Sequence, residues 1–301
     1  MANTRELRRR IKSIKNTSQI TKAMQMVAAT KMRRAQNQAT SGRPYVENLS
    51  EALARLLPKV DVEAHPLLTG NDSKTTGVVL LSTDKGLVGA LNTNLIRTLA
   101  SNPGGSSVVF YTVGRKGRSF VARTGKDLKA DFENLDTVTF RQAKQLSRLL
   151  MDSFKAGEIG EAFMIYPRFV STLRQEPRRM KLLPIDLDSV IPAEAQTHLR
   201  GESKVTPGSH LGGVTSSEFL FEPGADALLD YLLVHHIEEQ IYQALLETKA
   251  SEHSARMVAM QNATDNAKEL VDDLTLTYNQ TRQASITTEL LEITTAQVAM
   301  E

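Results

Sequence analysis

The sequence contains no cysteine and no tryptophan, and aromatic residues make up only 5% of its 301 positions. The lack of cysteine excludes disulfides, thiolate zinc sites, a cysteine nucleophile and thiol redox regulation. The shortage of aromatics favours helices packed through Leu, Ile, Met and Ala over the core of a large compact enzyme. No apolar run approaches the length of a membrane span, and residues 1–20 lack the apolar stretch of a secretory signal.

Charge is distributed unevenly along the chain, although the net charge is only +3. Residues 1–59 carry thirteen Lys and Arg against three acidic residues, a net charge of +10. Residues 251–301 carry three basic residues against eight acidic ones, a net charge of −5. The basic segment suits nucleic acid or an acidic protein partner, and the acidic segment suggests that the two ends attract each other.

The first segment has the pattern of a long helix. Between Thr4 and Leu57 the only interruption is Gly42-Arg43-Pro44. Small or apolar residues recur at the 4-3 spacing of a coiled-coil seam, with a second stripe beside it. The seam consists of Leu7, Ile11, Ile14, Ser18, Thr21, Ala28, Met32, Ala35 and Ala39, and the second stripe of Ile20, Met24 and Val27.

The middle of the chain alternates apolar runs with helical patterns. Residues 58–76 have the composition of a linker, and residues 192–217, rich in Pro, Gly, Ser and His, that of a surface loop. Strands alternating with helices predict an α/β domain with an at least partly parallel sheet. The predicted strands are 77–82, 108–113, 162–167, 179–186 and 217–223, and the predicted helices lie near 90–100, 115–124 and 141–156.

The last segment, from Pro223-Gly224 to Glu301, contains no further Pro or Gly. Its seam begins at Ile237, Ile241 and Ala244, and changes register twice. The remaining seam positions are Thr248, Ser251, Ala255, Val258, then Thr264, Ala267, Val271, Leu274, Tyr278, Thr281, and then Ile286, Leu290, Ile293.

The predicted fold is an antiparallel coiled coil of the terminal helices with an inserted Rossmann-like α/β domain. The boundaries are 1–57 for the first helix, 76–222 for the α/β domain and 224–301 for the last helix. Many seam positions are Ala, Ser or Thr, which bury little apolar area at about 25 cal/mol per Å². We therefore expect the paired helices to be weakly stable alone and to require a surrounding partner.

Two glycine-containing loops and one histidine pair are candidate chemical sites. The loops 82–90 and 114–119 lack the phosphate-loop and dinucleotide-binding spacings, so we interpret them as structural turns. His235 and His236 precede Glu238 and Glu239 on a helix, but no third metal ligand is near in sequence. No nucleophile elbow is present. We therefore predict no catalytic site, no metal site and no cofactor.

Three segments resemble the γ subunit family of F-type ATP synthases. They are ITKAMQMVAATKMRRAQ (20–36), LLSTDKGLVGALNTNL (80–95), and the pair SEHSARMVAMQNATDNAKEL (251–270) with YNQTRQASITTELLEI (278–293). The resemblance implies a central rotor shaft that carries torque between the membrane c-ring and the ring of catalytic α and β subunits. It also implies regulation of ATPase activity and proton flow, and contacts with the ε subunit.

The resemblance also assigns residues to two contacts. The implied β-subunit contact consists of Arg256, Arg282, Gln283 and Thr287. The implied neck, which acidic lever segments of β push, consists of Lys22, Met24, Lys31, Arg33 and Arg34. The implied location is the cytoplasmic face of a bacterial plasma membrane, with attachment only through the c-ring.

The sequence departs from the family pattern at two places. Ala296 and Gln297 stand where the family usually has a Gly-Ala pair, which affects the contact made by the tip. Val88-Gly89 stands where Cys-Gly is frequent. Since the chain has no cysteine, the dithiol regulation of chloroplast members cannot operate.

Two other functions stay open at this point. One is a coiled-coil scaffold or tether that binds partners without rotating. The other is a nucleic-acid-binding protein, which rests only on the basic first segment, including Arg8-Arg9-Arg10 and Lys31-Met32-Arg33-Arg34. The first 44 positions contain no aromatic residue for base stacking, which argues against nucleic acid.

Overall fold

The computed structural model describes residues 4–56, 60, 65–101, 107–186 and 224–300. The helices are α1 Thr4–Ser41, α2 Arg43–Leu56, α3 Pro66–Thr69, α4 Leu91–Ser101, α5 Arg115–Arg123, α6 Phe140–Lys155 and α7 Ala225–Met300. The strands are β1 Thr75–Leu81, β2 Ser107–Val113, β3 Asp127–Phe132, β4 Glu161–Phe169 and β5 Gln175–Leu183.

The chain forms two compact units. The helix-pair unit contains the chain up to Lys31, the short segment Leu87–Gly89 and the chain from His253 onward. The α/β unit contains Met32–Gly86 and Ala90–Glu252. Both α1 and α7 therefore contribute residues to each unit.

The first predicted helix is divided in two at Gly42. Helix α1 ends at Ser41 and α2 begins at Arg43, and the amide of Tyr45 donates to the carbonyl of Gly42 across the junction (3.1 Å). Pro44 has no amide hydrogen and Gly42 is a poor helix former, so this short sequence interrupts the hydrogen-bond ladder. The interruption visible in the sequence is thus a real helix boundary.

The α/β unit is built on a five-stranded sheet with the order β3-β2-β1-β4-β5. Strands β1 to β4 are parallel to one another, and β5 pairs with β4 in the antiparallel direction. This confirms the predicted partly parallel sheet. Because β1 is followed by β2 on one side while β4 lies on the other, the strand order reverses between β1 and β4.

Helices cover both faces of the sheet. Side chains alternate along β1, so Val78 and Leu80 face one apolar layer while Val79 and Leu81 face the other. The first layer also holds side chains of α4 and α5. The second is larger and includes α6, the end of α2 and the first turns of α7 from Leu229 to Leu246. Helix α7 is therefore part of the core of the α/β unit.

In the helix-pair unit, α1 and α7 run antiparallel. The hydroxyls of Thr21 and Thr264 lie 2.7 Å apart, and the Arg8 guanidinium donates to the Tyr278 hydroxyl at 2.7 Å. As the residue number on α1 falls, the number of its partner on α7 rises, which is the signature of an antiparallel pair. The predicted seam is buried at Leu7, Thr21 and Ala28 in α1 and at Ala255, Thr264 and Ala267 in α7.

Parts of the predicted packing pattern are exposed instead. In the second stripe of α1, Ile20 and Val27 are 60% and 57% exposed. The third register of the α7 seam is wrong as an intramolecular seam, because Ile286, Leu290 and Ile293 are all exposed. Arg8 contacts Tyr278, and the described part of α1 begins only four residues before Arg8, at Thr4. Within the part of the chain that the structure describes, α1 is therefore too short to cover α7 much beyond Thr281.

Two elements of the α/β unit were not predicted. Strand β3 has only partly buried side chains in alternation, so it lacks the apolar run by which the other strands were recognised. The four-residue helix α3 lies within the predicted linker. The predicted loop 192–217 and the predicted strand 217–223 lie outside the described residues. Among the helices that the structure describes, none is both long and apolar enough to span a bilayer.

Candidate functional site

The predicted neck residues lie in one short part of α1 but on different sides of it. Lys22, Lys31, Arg33 and Arg34 are exposed, and Met24 is half-buried. At about 100° per residue, Lys22 and Arg33 share one side of the helix, whereas Met24 and Lys31 share the opposite side. The neck is thus a band of charge around α1 and not a single basic face.

The predicted β-contact residues occupy two separate places on α7. Arg256 is half-buried, and its guanidinium lies 3.5 Å from Nδ1 of His253. Arg282, Gln283 and Thr287 are exposed, with the Thr287 hydroxyl donating to the carbonyl of Gln283 (2.9 Å). At about 1.5 Å per residue, Arg256 and Arg282 are ~39 Å apart along the helix. The structure therefore does not bring the four residues into one site.

The end of α7 from Arg282 to Gln297 is exposed on all sides. Its large apolar side chains include Leu290 at 58% and Leu291 at 60% exposure, and Met300 beyond it is 91% exposed. A single helix with this much exposed apolar surface is typical of a segment that another protein surrounds. We call residues 282–300 the free end of α7.

The loop after β1 uses its polar groups internally. The Asn92 amide donates to the Thr83 hydroxyl (2.8 Å), and the amide of Gly117 donates to the Ser82 hydroxyl (2.8 Å). Gly114 has a φ of 95°, and a Cβ at this position would lie 2.4 Å from the carbonyl oxygen of Ser82. Glycine is therefore required where β1 and β2 end side by side, and these contacts support the interpretation of both loops as structural turns.

The histidine pair lies in the α/β unit near the start of α7. Burial, together with the neighbouring His235, lowers the pKa of His236 to about 4. Nε2 of His235 shares a hydrogen bond with the Tyr45 hydroxyl (2.6 Å), and Nδ1 of His235 lies 3.6 Å from a carboxylate oxygen of Glu238. Within the described parts of the chain, no three His, Asp or Glu side chains are grouped as metal ligands.

A buried polar cluster on α7 was not identified from the sequence. The ammonium of Lys249 donates to the backbone carbonyl of Asn134 (3.0 Å) and lies 3.3 Å from a carboxylate oxygen of Glu252. The side-chain amide of Asn134 donates to the same carboxylate oxygen (3.2 Å) and to the carbonyl of Ser82 (2.8 Å). One sequence feature could have indicated this cluster. Lys249 and Glu252 are three positions apart on a helix and are adjacent in sequence to the seam residues Thr248 and Ser251.

Comparison with known sequences shows similarity over the full length. A family profile described as ATP synthase matches residues 3–300. The chain is 44% identical over 299 residues to the ATP synthase gamma chain of Opitutus terrae, covering 99% of both chains. It is 45% identical over 305 residues to that of Methylacidiphilum infernorum, covering 100% of both.

Solved structures with similar folds come from two mitochondrial complexes. A chain of the Tetrahymena thermophila ATP synthase central stalk and c-ring matches with a TM-score of 0.56 and 26% identity, over 81% of this chain and 99% of that one. A chain of the Euglena gracilis assembly of OSCP, F1 and c-ring matches with a TM-score of 0.66 and 22% identity, over 99% and 94% of the two chains.

Proposed function

Because the chain belongs to the family of ATP synthase gamma chains, we propose that it is the central rotor shaft of an F-type ATP synthase. In this role it transmits torque between the membrane c-ring and the catalytic ring of α and β subunits, and so regulates ATP hydrolysis and proton flow. The full-length identity of 44% carries the proposal. The antiparallel helix pair and the free end of α7 fit it.

The distribution of exposed groups suits the partners of such a shaft. The free end of α7 offers Leu290 and Leu291 to a surrounding sleeve, and Arg282 and Gln283 to the β subunits. The basic band around α1 suits acidic lever segments of β. We propose that the α/β domain, predicted at 76–222, meets the ε subunit and the c-ring.

We further propose that catalysis and membrane insertion both belong to other subunits of the complex. The chain has no catalytic site of its own, since the candidate loops are structural turns and catalysis belongs to the α/β ring. It attaches to the membrane through the c-ring, on the cytoplasmic face of a bacterial plasma membrane, a location that its bacterial relatives support.

The rotor proposal is tested by mixing the chain with α and β subunits and observing rotation. The chain contains no cysteine, so Ser119→Cys on the exposed side of α5 gives one attachment point on this chain for a bead. We expect a defined complex with ATPase activity and ATP-driven rotation of the bead. A complex that hydrolyses ATP while the bead stays still would instead indicate a non-rotating scaffold.

A further inference from the structure

Helix α7 covers the edge of the sheet at which open α/β folds bind their ligands. Such ligands bind outside the carboxyl ends of the strands, where the strand order reverses. In this sheet that point lies between β1 and β4, where Leu80 pairs with Ile165. Ser82 directly follows β1, and Pro167 lies near the carboxyl end of β4. The Ser251 hydroxyl of α7 donates to the carbonyl of Pro167 (2.9 Å).

The same turn of α7 also reaches the β1 side of this point. Asn134, which follows β3, joins the carbonyl of Ser82 to the carboxylate of Glu252 through its side-chain amide. Lys249 donates to the backbone carbonyl of Asn134 and contacts Glu252. All three side chains are buried, with exposures of 4% for Lys249 and Glu252 and 6% for Asn134.

A buried charged network fixes geometry in a way that apolar packing does not. The apolar contacts of side chains such as Ile241 and Leu245 are non-directional. They therefore oppose separation of α7 from the sheet more strongly than they oppose rotation of α7 about its own axis. Hydrogen bonds to charged groups are directional, and breaking one partner of a buried pair leaves an uncompensated charge. A small rotation of α7 would therefore separate Lys249 and Glu252 from Asn134 at once.

We propose that Lys249, Glu252 and Asn134 form a torsional lock that fixes the angle of α7 against the sheet. The lock rests on the proposed rotor function, in which torque on α7 must reach the α/β unit without slip. In this chain, α7 therefore occupies the edge of the sheet at which other open α/β folds bind a ligand.

The test measures torsional stiffness in the assembled complex of this chain with α and β subunits. Beads are attached either through Ser119→Cys on α5 or through Asn37→Cys on α1, both exposed positions. The variance of the bead angle is recorded while the complex is stalled without ATP. Lys249→Met keeps the side-chain length and removes the charge. We expect this substitution to raise the angular variance of a bead on Ser119→Cys about two-fold, and to leave that of a bead on Asn37→Cys unchanged.

The matched control is Lys268→Met on the same helix. Lys268 also pairs with a carboxylate three positions away, Asp265, but the two side chains are 62% and 52% exposed. We expect this variant to change neither variance. Equal variances in Lys249→Met and Lys268→Met, or a rise at both attachment points, would overturn the lock.

Two further measurements keep the result decisive. If Lys249→Met does not assemble, the same measurement is made on Glu252→Gln, which keeps the side-chain volume. An unchanged variance in that variant also overturns the lock.

In the isolated full-length chain, amide hydrogen exchange over residues 249–256 should be at least ten-fold faster in Lys249→Met and unchanged in Lys268→Met. A wild-type complex that shows no ATP-driven rotation rejects the rotor function, whereas normal rotation with unchanged stiffness and exchange rejects only the lock.

Discussion

Arg282 and Gln283 are the residues at which we expect the shaft to be most sensitive to substitution. Arg282 is one of three basic residues in a segment of net charge −5, and it begins the free end of α7. Its planar fork can make paired hydrogen bonds to a carboxylate or carbonyl of a surrounding subunit. Both side chains are exposed in the chain alone, so their substitution tests the contact and not the fold.

Replacing Arg282 and Gln283 together with Ala should sharply impair assembly or ATP-driven turnover of the reconstituted complex. Losing a charged hydrogen bond at a protein interface from which water is excluded costs about 2–5 kcal/mol. Lys31→Ala and Arg33→Ala serve as single controls, since an exposed ion pair is worth only about 0–1 kcal/mol. Equal effects of all these substitutions on turnover would place the main contact elsewhere.

His236 should make the stability of the chain depend on pH. Its pKa is about 4 when folded and about 6.5 when unfolded, so below pH 6.5 the unfolded chain binds the extra proton. Stability is therefore lost as the pH falls from 6.5 towards 4, by about 1.4 kcal/mol per unit, or ~2 kcal/mol at pH 5. Urea unfolding at pH 7.5 and pH 5 measures this loss.

The control for this effect is His236→Gln, which keeps a polar group beside Gln240. Burial raises the pKa of Glu239 and Glu247, so these carboxyls also change stability with pH, but they do so in both proteins. The difference between wild type and His236→Gln should thus isolate the histidine. An identical pH dependence in both would mean that folding does not lower the pKa of His236.

Among the elements, the helix pair depends on small seam residues that allow close approach. Ala28 is only 2% exposed, whereas Ala23 on the same helix is exposed. Ala28→Leu should lower the free energy of unfolding by about 1–3 kcal/mol, because the extra volume must separate the helices. Ala23→Leu should change it by less than about 0.5 kcal/mol. Chemical denaturation of both variants measures the difference, and equal losses would contradict this packing.

The free end of α7 should contribute little to the stability of the chain itself. Residues 282–297 are exposed and lie beyond the α1 contacts that the structure describes. Deleting residues 282–301 should change the free energy of unfolding of the isolated chain by less than about 0.5 kcal/mol, because exposed groups contribute little. The same deletion should weaken assembly with α and β subunits. A large loss of stability in the isolated chain would show that the free end packs within it.

The elements recovered from the sequence are those with a strong pattern. Buried strands such as β1 and β2 appear as continuous apolar runs, and α6 and α7 appear through their periodicity. Strand β3 was missed because it is a half-buried edge strand with the sequence DLKADF. The Ile286 seam was misassigned because periodicity shows an apolar face but not which chain covers it.

For the whole molecule, we expect that the isolated chain binds and hydrolyses no nucleotide. The strand order is similar to that of nucleotide-binding folds. However, Ser251 of α7 already donates to Pro167 near the end of β4, and the Lys249 cluster reaches Ser82, just after β1, through Asn134. Equilibrium dialysis with ATP should therefore show no saturable binding. Stoichiometric binding with a micromolar Kd would contradict both this expectation and the interpretation of the loop after β1 as a structural turn.

The sequence by itself determined the fold class and the part of the seam that α1 and α7 bury between them. Long stretches without Gly or Pro, a 4-3 spacing that buries Thr21 and Ala28, and apolar runs between helical patterns are local signals that follow from backbone and side-chain periodicity. The strings that resemble the γ family further indicated membership of that family; they are 20–36, 80–95, 251–270 and 278–293.

Only the tertiary structure decided which polar and apolar groups are buried and against what. Lys249, Glu252 and Asn134 become one network because α7 packs against the segment that follows β3, which brings together residues more than 100 positions apart. No local sequence pattern encodes that contact. The length of α7 relative to α1 likewise leaves Leu290 and Ile293 exposed. Periodicity predicts that a face will be covered, whereas topology and relative length determine whether its cover comes from the same chain.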